Sequence, residues 1–462
     1  MRLTPPGAGT VSAGTADVVA GLELPPRPEG PTSLWWASTP VSPDELPDAA
    51  GAGSQPGRGL WRRPGLALLG DGEALRLRLR PGWAGLASMG SVPGLLGAAN
   101  CIESLGPGGA TDAPEGPVAM GALPYDPARP GELVVPRLLL VRHGEGAYAT
   151  LAGVGPAPSP DQARADVRRR LELLRRQEPA RVHEAPDGFQ LSSSVPHASW
   201  KQLVARTVQA VLDGPMSKVV LARRVDVVAN GPLPVASIVA RLEALYPSCT
   251  VFHFAGFVGA SPETLVSRHG DMVLSHPLAG TVAHSGDAPT DQALLTRLLG
   301  SAKDRHEHEV VVRSIADVLG PLCTDLEVPE PTVVALRNVS HLGTRITGRL
   351  RPGERHGSVP DALALAASLQ PTPAVGGEPT VLAMAWQAEH EGFDRGLYAG
   401  PVGWVDARGD GEWALGLRSA TIEANRASLY AGAGIVAGSD PDAELAETQL
   451  KLQALLAAVV RP

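Results

Sequence analysis

The chain has 462 residues and a net charge of −8, with a pI near 5.9, so no bulk electrostatic pull toward nucleic acid or an anionic membrane is expected. Its cysteines, Cys101, Cys249 and Cys323, are too few and too scattered for a disulfide framework or a zinc site, which suits a reducing interior and a cytoplasmic location. The beginning of the chain lacks an apolar signal core, no run approaches the roughly 20 apolar residues of a membrane span, and 53 Gly with 44 Pro argue for many strands joined by turns.

In chain order, residues 1–30 and 41–59 read as loose, Pro/Gly-rich stretches. Strands are expected at 66–69, 74–79 and 133–141, with Gly70-Asp71-Gly72 as a hairpin turn. A linker at 154–160 precedes an amphipathic helix at 161–177, whose basic face is read as solvated. A helix at 200–212 follows, then strands at 218–228, 250–258, 264–269 and 271–275, and a helix over 291–322 that breaks near Gly300. The pattern implies an α+β enzyme in which residues 1–190 extend the same body as a catalytic region at 191–462.

The chemistry concentrates downstream. Lys218 opens an apolar strand, where desolvation would favour a neutral amine able to act as a base; the plain alternative is a lysine snorkelling from a strand end. Gly259-Ala260-Ser261-Pro262-Glu263 presents Glu263 at a strand's end, where catalytic groups often sit, although alone it could be a helix cap. In Lys303-Asp304-Arg305-His306-Glu307-His308-Glu309 the two histidines point to different helix faces, which excludes a zinc helix. Glu307 instead shares its face with Val311, Ser314, Ile315 and Val318 and is directed inward.

Near the end of the chain, Asp440-Pro441 opens a helix with proline at its first position. Residues 444, 447, 448, 451 and 455 fall on one stripe, and Leu445, Leu452, Leu456 and Val459 on another. Two half-buried glutamates, Glu444 and Glu447, call for a cation, and Lys451 balances only one. With Glu307 they form a hard, all-oxygen donor set suited to magnesium; a solvated charge run is the alternative.

Lys218, Glu263, Pro277-Leu278-Ala279-Gly280-Thr281, Glu307, Ser340-His341-Leu342, the 371–377 segment Pro-Thr-Pro-Ala-Val-Gly-Gly, and the set running from Arg395-Gly396-Leu397-Tyr398 through Arg418 and Tyr430-Ala431-Gly432-Ala433-Gly434 to Lys451 occur in the order seen in chorismate-utilising enzymes. The chain resembles that family, and within it the isochorismate synthases, densely over 195–460 with a thinner echo at 120–126 and 135–137. The resemblance implies an aminodeoxychorismate-synthase-like fold of two mixed subdomains, with largely antiparallel facing sheets, outer helices and the site in the cleft between them. It implies a magnesium-dependent exchange on chorismate, in which water adds at ring C2 as hydroxyl leaves C4. Lys218 would activate the water and Glu263 would protonate the leaving hydroxyl. Glu307, Glu447 and Glu444 would hold the metal against the ring carboxylate. Arg418 and Tyr398 would meet the enolpyruvyl carboxylate, Gly432 and Gly434 would admit the ligand closely, Lys451 would add positive charge, and Gly280, Thr281, His341 and Ala374 would line the pocket.

Relatives usually carry His where this chain has Gln370, which leaves that wall's role open. Relatives that make anthranilate carry Gln in place of Lys218 and draw ammonia from a glutaminase subunit; none is expected here, and a monomer is expected. Salicylate synthase, which eliminates pyruvate after the same first step, is the nearest rival, and a catalytically dead chorismate-binding subunit is a more distant one. Isochorismate serves both menaquinone and siderophore synthesis, between which these residues do not choose. Two motifs are read as coincidental: Arg142-His143-Gly144, the pattern of histidine phosphatases, and Gly432-Ala433-Gly434, which lacks the third glycine of a dinucleotide loop.

Overall fold

The computed structural model describes residues 22–23, 33–47, 58–82, 91–104, 112–176, 186–353 and 359–460. The loose stretches expected at 1–30 and 41–59 lie largely outside them.

Among the described residues the strands hydrogen-bond into one 21-stranded sheet and a separate three-stranded sheet. Every pairing is antiparallel except that of Leu34–Pro40 with Asn100–Ser104. The large sheet is a joint with two arms rather than a pair of unconnected sheets. The joint pairs strand Leu66–Leu79 with Gly131–His143. One arm leaves it through Gly59–Arg63, Thr250–Phe254, Phe257–Ser261, Ser419–Glu423 and Arg426–Ile435 to Lys218–Ala229. The other leaves through Val118–Ala122, Pro401–Asp406, Gly411–Leu415, Thr264–His269 and Met272–His276 to Ile346–Leu350. The arms share one core, to which the first contributes Ala222 and Tyr430 and the second Leu265, Val266 and Trp413. The architecture is α+β.

Helices cover the outside. Pro441–Val460 begins at Pro441 as its sequence predicts. Leu452, Leu455 and Val459 bury against Ile238, Val239 and Leu242 of helix Val235–Leu245, and Leu445 packs with Trp200 and Leu203 of helix His197–Asp213. The expected break near Gly300 falls at Ser301, which ends Ala288–Gly300 and caps Ala302–Leu319 by accepting from the Asp304 N–H. No helix among the described residues is long and apolar enough to cross a membrane.

Two local expectations are corrected. Gly70-Asp71-Gly72 is no turn: Leu66–Leu79 runs through it, because the partner strand pairs on both sides and a bulge between Glu73 and Leu75 absorbs the irregularity. The single strand expected at 250–258 is a hairpin, turned by Ala255 (φ 48°) and Gly256 (φ 85°). Two successive positive φ values make a turn whose twist matches the strands it joins.

Candidate active site

Lys218 starts the strand Lys218–Ala229, which runs in register with Arg426–Ile435 so that Val220 faces Gly434 and Ala222 faces Gly432. Its side chain is buried, and Nζ lies 2.9 Å from Glu307 Oε1. Glu263 sits just after strand Phe257–Ser261, where the chain passes from one arm to the other. Its N–H donates to Ser261 Oγ at 3.3 Å, and its carbonyl accepts from the Leu415 N–H at 3.2 Å. Burial pushes the Glu263 carboxyl up to about 8, although the Leu278 N–H and the charges of Lys218, Lys451 and Arg418 oppose it. Glu307, in the same cavity, behaves in the opposite way. Burial works against its charge, but Lys218 overcomes this by charge and hydrogen bond, with Lys451 and Lys303 adding to it, so its carboxyl is held below the usual range.

One cavity collects the predicted residues. Glu263, Gly280, Thr281, Glu307, His341, Ala374, Tyr398, Arg418, Gly432, Gly434, Glu447 and Lys451 all line it, where the strands Lys218–Ala229 and Arg426–Ile435 of the first arm, the three-stranded sheet and the helices Ala302–Leu319 and Pro441–Val460 come together. Lys218 and Glu444 stand just behind this lining, reached through Glu307 and Glu447. Sequence reasoning had not assigned Tyr430, whose ring stacks on Tyr398 at 5.1 Å, or Leu278 and Leu417 to the lining. Tyr430 stands two residues before Gly432 on the same strand, so period-two alternation placed it on the site's face.

One end of the cavity is built from neutral and cationic donors. Arg418 adopts φ 47°, a left-handed backbone that costs a non-glycine residue about 1 kcal/mol and is held by its surroundings. Its Nη2 lies 3.3 Å from His341 Nε2, while His341 Nδ1 faces the Gly280 carbonyl at 3.0 Å. Burial, Arg418 and Lys451 push the imidazole down to about 3, so the ring is neutral. The network assigns Nδ1–H as donor to Gly280 and Nε2 as acceptor from Arg418. Burial pushes the Tyr398 hydroxyl up to about 12, which keeps it a donor. Lys451 donates to the Gly432 carbonyl at 2.9 Å.

The charge argument that called for a metal is corrected. Each carboxylate has its own ammonium: Lys218 with Glu307 at 2.9 Å, Lys303 with Glu444 at 3.1 Å and Lys451 with Glu447 at 2.6 Å. Lys303, one helical turn before Glu307, was left out of the count. Among the described residues no three acids or histidines stand close enough to hold a metal as they are placed. The donor chemistry nevertheless fits a hard cation. Glu307 and Glu447 open on one cavity, and the buried Glu444 beside them has its carboxyl pushed up by burial and by Glu447 against the opposing pull of Lys303, so the set offers oxygen donors of the kind a hard cation takes.

Gln370, whose role the sequence left open, is a buried brace. Its Nε2 donates to the Tyr125 carbonyl at 3.2 Å and the Ala399 carbonyl at 3.1 Å, beside Tyr398. His143 ends a strand at a turn and contacts Asp112 at 2.5 Å, away from the cavity.

Residues 109–460 match the sequence model of a family described as chorismate binding enzyme, and the chain belongs to that family. It is 35% identical over 424 residues to the salicylate biosynthesis isochorismate synthase of Pseudomonas aeruginosa, covering 86% of this chain and 83% of that one. It is 38% identical over 356 residues to the isochorismate synthase DhbC of Bacillus subtilis, covering 74% and 81%. The structure of MenF, the menaquinone-specific isochorismate synthase from Escherichia coli, superimposes with a TM-score of 0.76 at 27% identity, covering 93% of this chain and 95% of that one.

Proposed function

We propose that the chain is an isochorismate synthase that converts chorismate to isochorismate reversibly, adding water at ring C2 and releasing hydroxyl from C4. One observation carries the residue roles: two carboxyl groups in one cavity are driven in opposite directions, Glu263 up to about 8 and Glu307 below the usual range. A carboxyl that keeps its proton at neutral pH is the acid that a hydroxide leaving group needs.

Glu263 donates that proton to the departing oxygen. Lys218, which is paired as an ammonium with Glu307 before substrate binds, must lose a proton to solvent and leave Glu307 before its neutral amine takes a proton from the attacking water. Arg418 and the Tyr398 hydroxyl bind the enolpyruvyl carboxylate, the planar guanidinium supplying the fork. His341, neutral and fixed by Gly280, orients Arg418 and spares the site a further charge. Lys451 adds positive charge beside Gly432. Glu307, Glu447 and Glu444 would hold magnesium, which when bound supplies a Lewis-acidic contact for the ring carboxylate.

The test is product analysis after mixing the protein with chorismate and magnesium, and separately with isochorismate. The same equilibrium mixture reached from both directions is expected. Salicylate and pyruvate as dominant products at neutral pH would overturn the assignment in favour of a salicylate synthase.

A further inference from the structure

The most elaborate polar arrangement outside the cavity surrounds Arg395, which is 5% exposed and touches no cavity surface. Its guanidinium is held by Glu391 on one edge, Nε to Oε2 at 2.8 Å and Nη2 to Oε1 at 2.5 Å. On the other side it donates to two main-chain carbonyls, Nη1 to Val375 at 2.8 Å and Nη2 to Val220 at 2.8 Å. Its Cζ lies 4.4 Å from the centre of the Tyr125 ring and 6.0 Å from that of Tyr398. Glu391 is itself fixed, accepting from the Ala222 N–H at 2.8 Å. The Arg395 carbonyl accepts from the Tyr398 N–H at 3.0 Å.

The partners are what matter. Val220, Val375 and Tyr398 belong to three separate segments of chain, and all three line the cavity. Burying a guanidinium and a carboxylate adds little net stability and is often neutral against an apolar pair. What this pair supplies is geometry, because a planar fork with fixed donor directions holds two carbonyls and an aromatic face at set distances. Gln387 strengthens the join, donating to Val220 at 2.9 Å and accepting from the Tyr125 hydroxyl at 2.7 Å.

We propose that Arg395 is a positioning residue for the reaction, holding the Tyr398 ring and the Val375 wall against the Lys218 strand so that the Tyr398 hydroxyl meets the ligand carboxylate. The proposal rests on the reading of Tyr398 as a ligand-binding donor. Arg395 acts on binding through Tyr398, so its loss and the loss of the tyrosine hydroxyl remove the same interaction.

A double-mutant cycle tests this with Arg395→Lys, which keeps a cation beside Glu391 but gives up the fork and the planar face. Melting temperatures establish that each variant is folded. Arg395→Lys is expected to raise KM for chorismate about tenfold, the value of one hydrogen bond to a charged group, with kcat changed far less. Tyr398→Phe is expected to do the same, and the double variant no more than the worse single one. A merely structural role would lower the active fraction, and hence kcat, without coupling to Tyr398. If Arg395→Lys does not fold, Glu391→Gln, which loosens the guanidinium while leaving the arginine, is put through the same cycle. Effects on KM that multiply in the double variant, or a wild-type KM in the folded Arg395 or Glu391 variant, overturn the proposal alone. A wild-type KM in Tyr398→Phe overturns the reading of Tyr398 and the proposal with it.

Discussion

Gly434 lies directly against the carboxylate of Glu307: a β-carbon at position 434 would stand 2.4 Å from Glu307 Oε1 and 2.9 Å from Lys218 Cε. A side chain at this position would displace the ends of both. Gly434→Ala should therefore push the Glu307 carboxylate and the end of Lys218 out of place and lower kcat/KM by about 10- to 100-fold, the scale of overpacking. Steady-state kinetics check this, and a Gly434→Ala enzyme with wild-type kcat/KM would show that the close approach is dispensable.

Groups that move protons should separate kinetically from groups that bind. Lys218→Ala and Glu263→Gln should each lower kcat by about two to four orders of magnitude with KM little changed, the range for removing a general acid or base. Arg418→Ala should instead raise KM, because the guanidinium holds the carboxylate in ground and transition states alike. If Lys218→Ala kept its kcat while KM rose, Lys218 would be a binding residue.

The raised Glu263 carboxyl predicts two pH effects. As the acid it must be protonated, so kcat/KM should fall as pH rises through about 8. For stability the sign follows from a folded value near 8 against an ordinary value of 4.5. The stability contributed by the protonated form is complete below pH 4.5 and is lost as pH rises toward 8, by at most about 1.4 kcal/mol per unit. Glu263→Gln has no charge to bury, so its melting temperature should match the wild type at pH 4.5 and exceed it increasingly up to pH 8. A difference independent of pH would contradict the assignment.

Activity should vanish in chelator and return with magnesium, and Glu307→Ala and Glu447→Ala should each abolish turnover. Removing one carboxylate also relieves like-charge repulsion, so melting must be compared with and without the ion. Lys303→Met should free Glu444 from its ammonium and strengthen magnesium binding in the absence of substrate by roughly tenfold, read as a larger melting shift at a given ion concentration. Equal shifts in variant and wild type would show that Lys303 does not compete for the site.

The sequence exposed the site better than the scaffold, for a physical reason. Glu263, Gly280, His341 and Arg418 stand in short ordered motifs through which the chain resembles its family, and the cavity gathers them. The 441–460 helix was equally legible, because its proline start and its apolar stripes are local signals. What was missed depended on distance in sequence or on a single backbone angle. Ala255 and Gly256 carry no strong turn signature, and the continuation of Leu66–Leu79 through Gly70-Asp71-Gly72 is dictated by a partner strand some seventy residues away. The counterion of Glu444 lies on another helix, so one-stripe charge counting left Lys303 out.

The joint between the arms has a consequence for how the molecule is made. Strand Gly59–Arg63 has its neighbour at Thr250–Phe254, and Val118–Ala122 has its neighbour at Pro401–Asp406. During synthesis these early strands carry open edges until the distant half of the chain has emerged, and pairings so far apart in sequence form slowly. An amino-terminal portion produced alone would present those edges to other copies of itself and aggregate. The remainder produced alone would have lost the joint through which its two arms are linked.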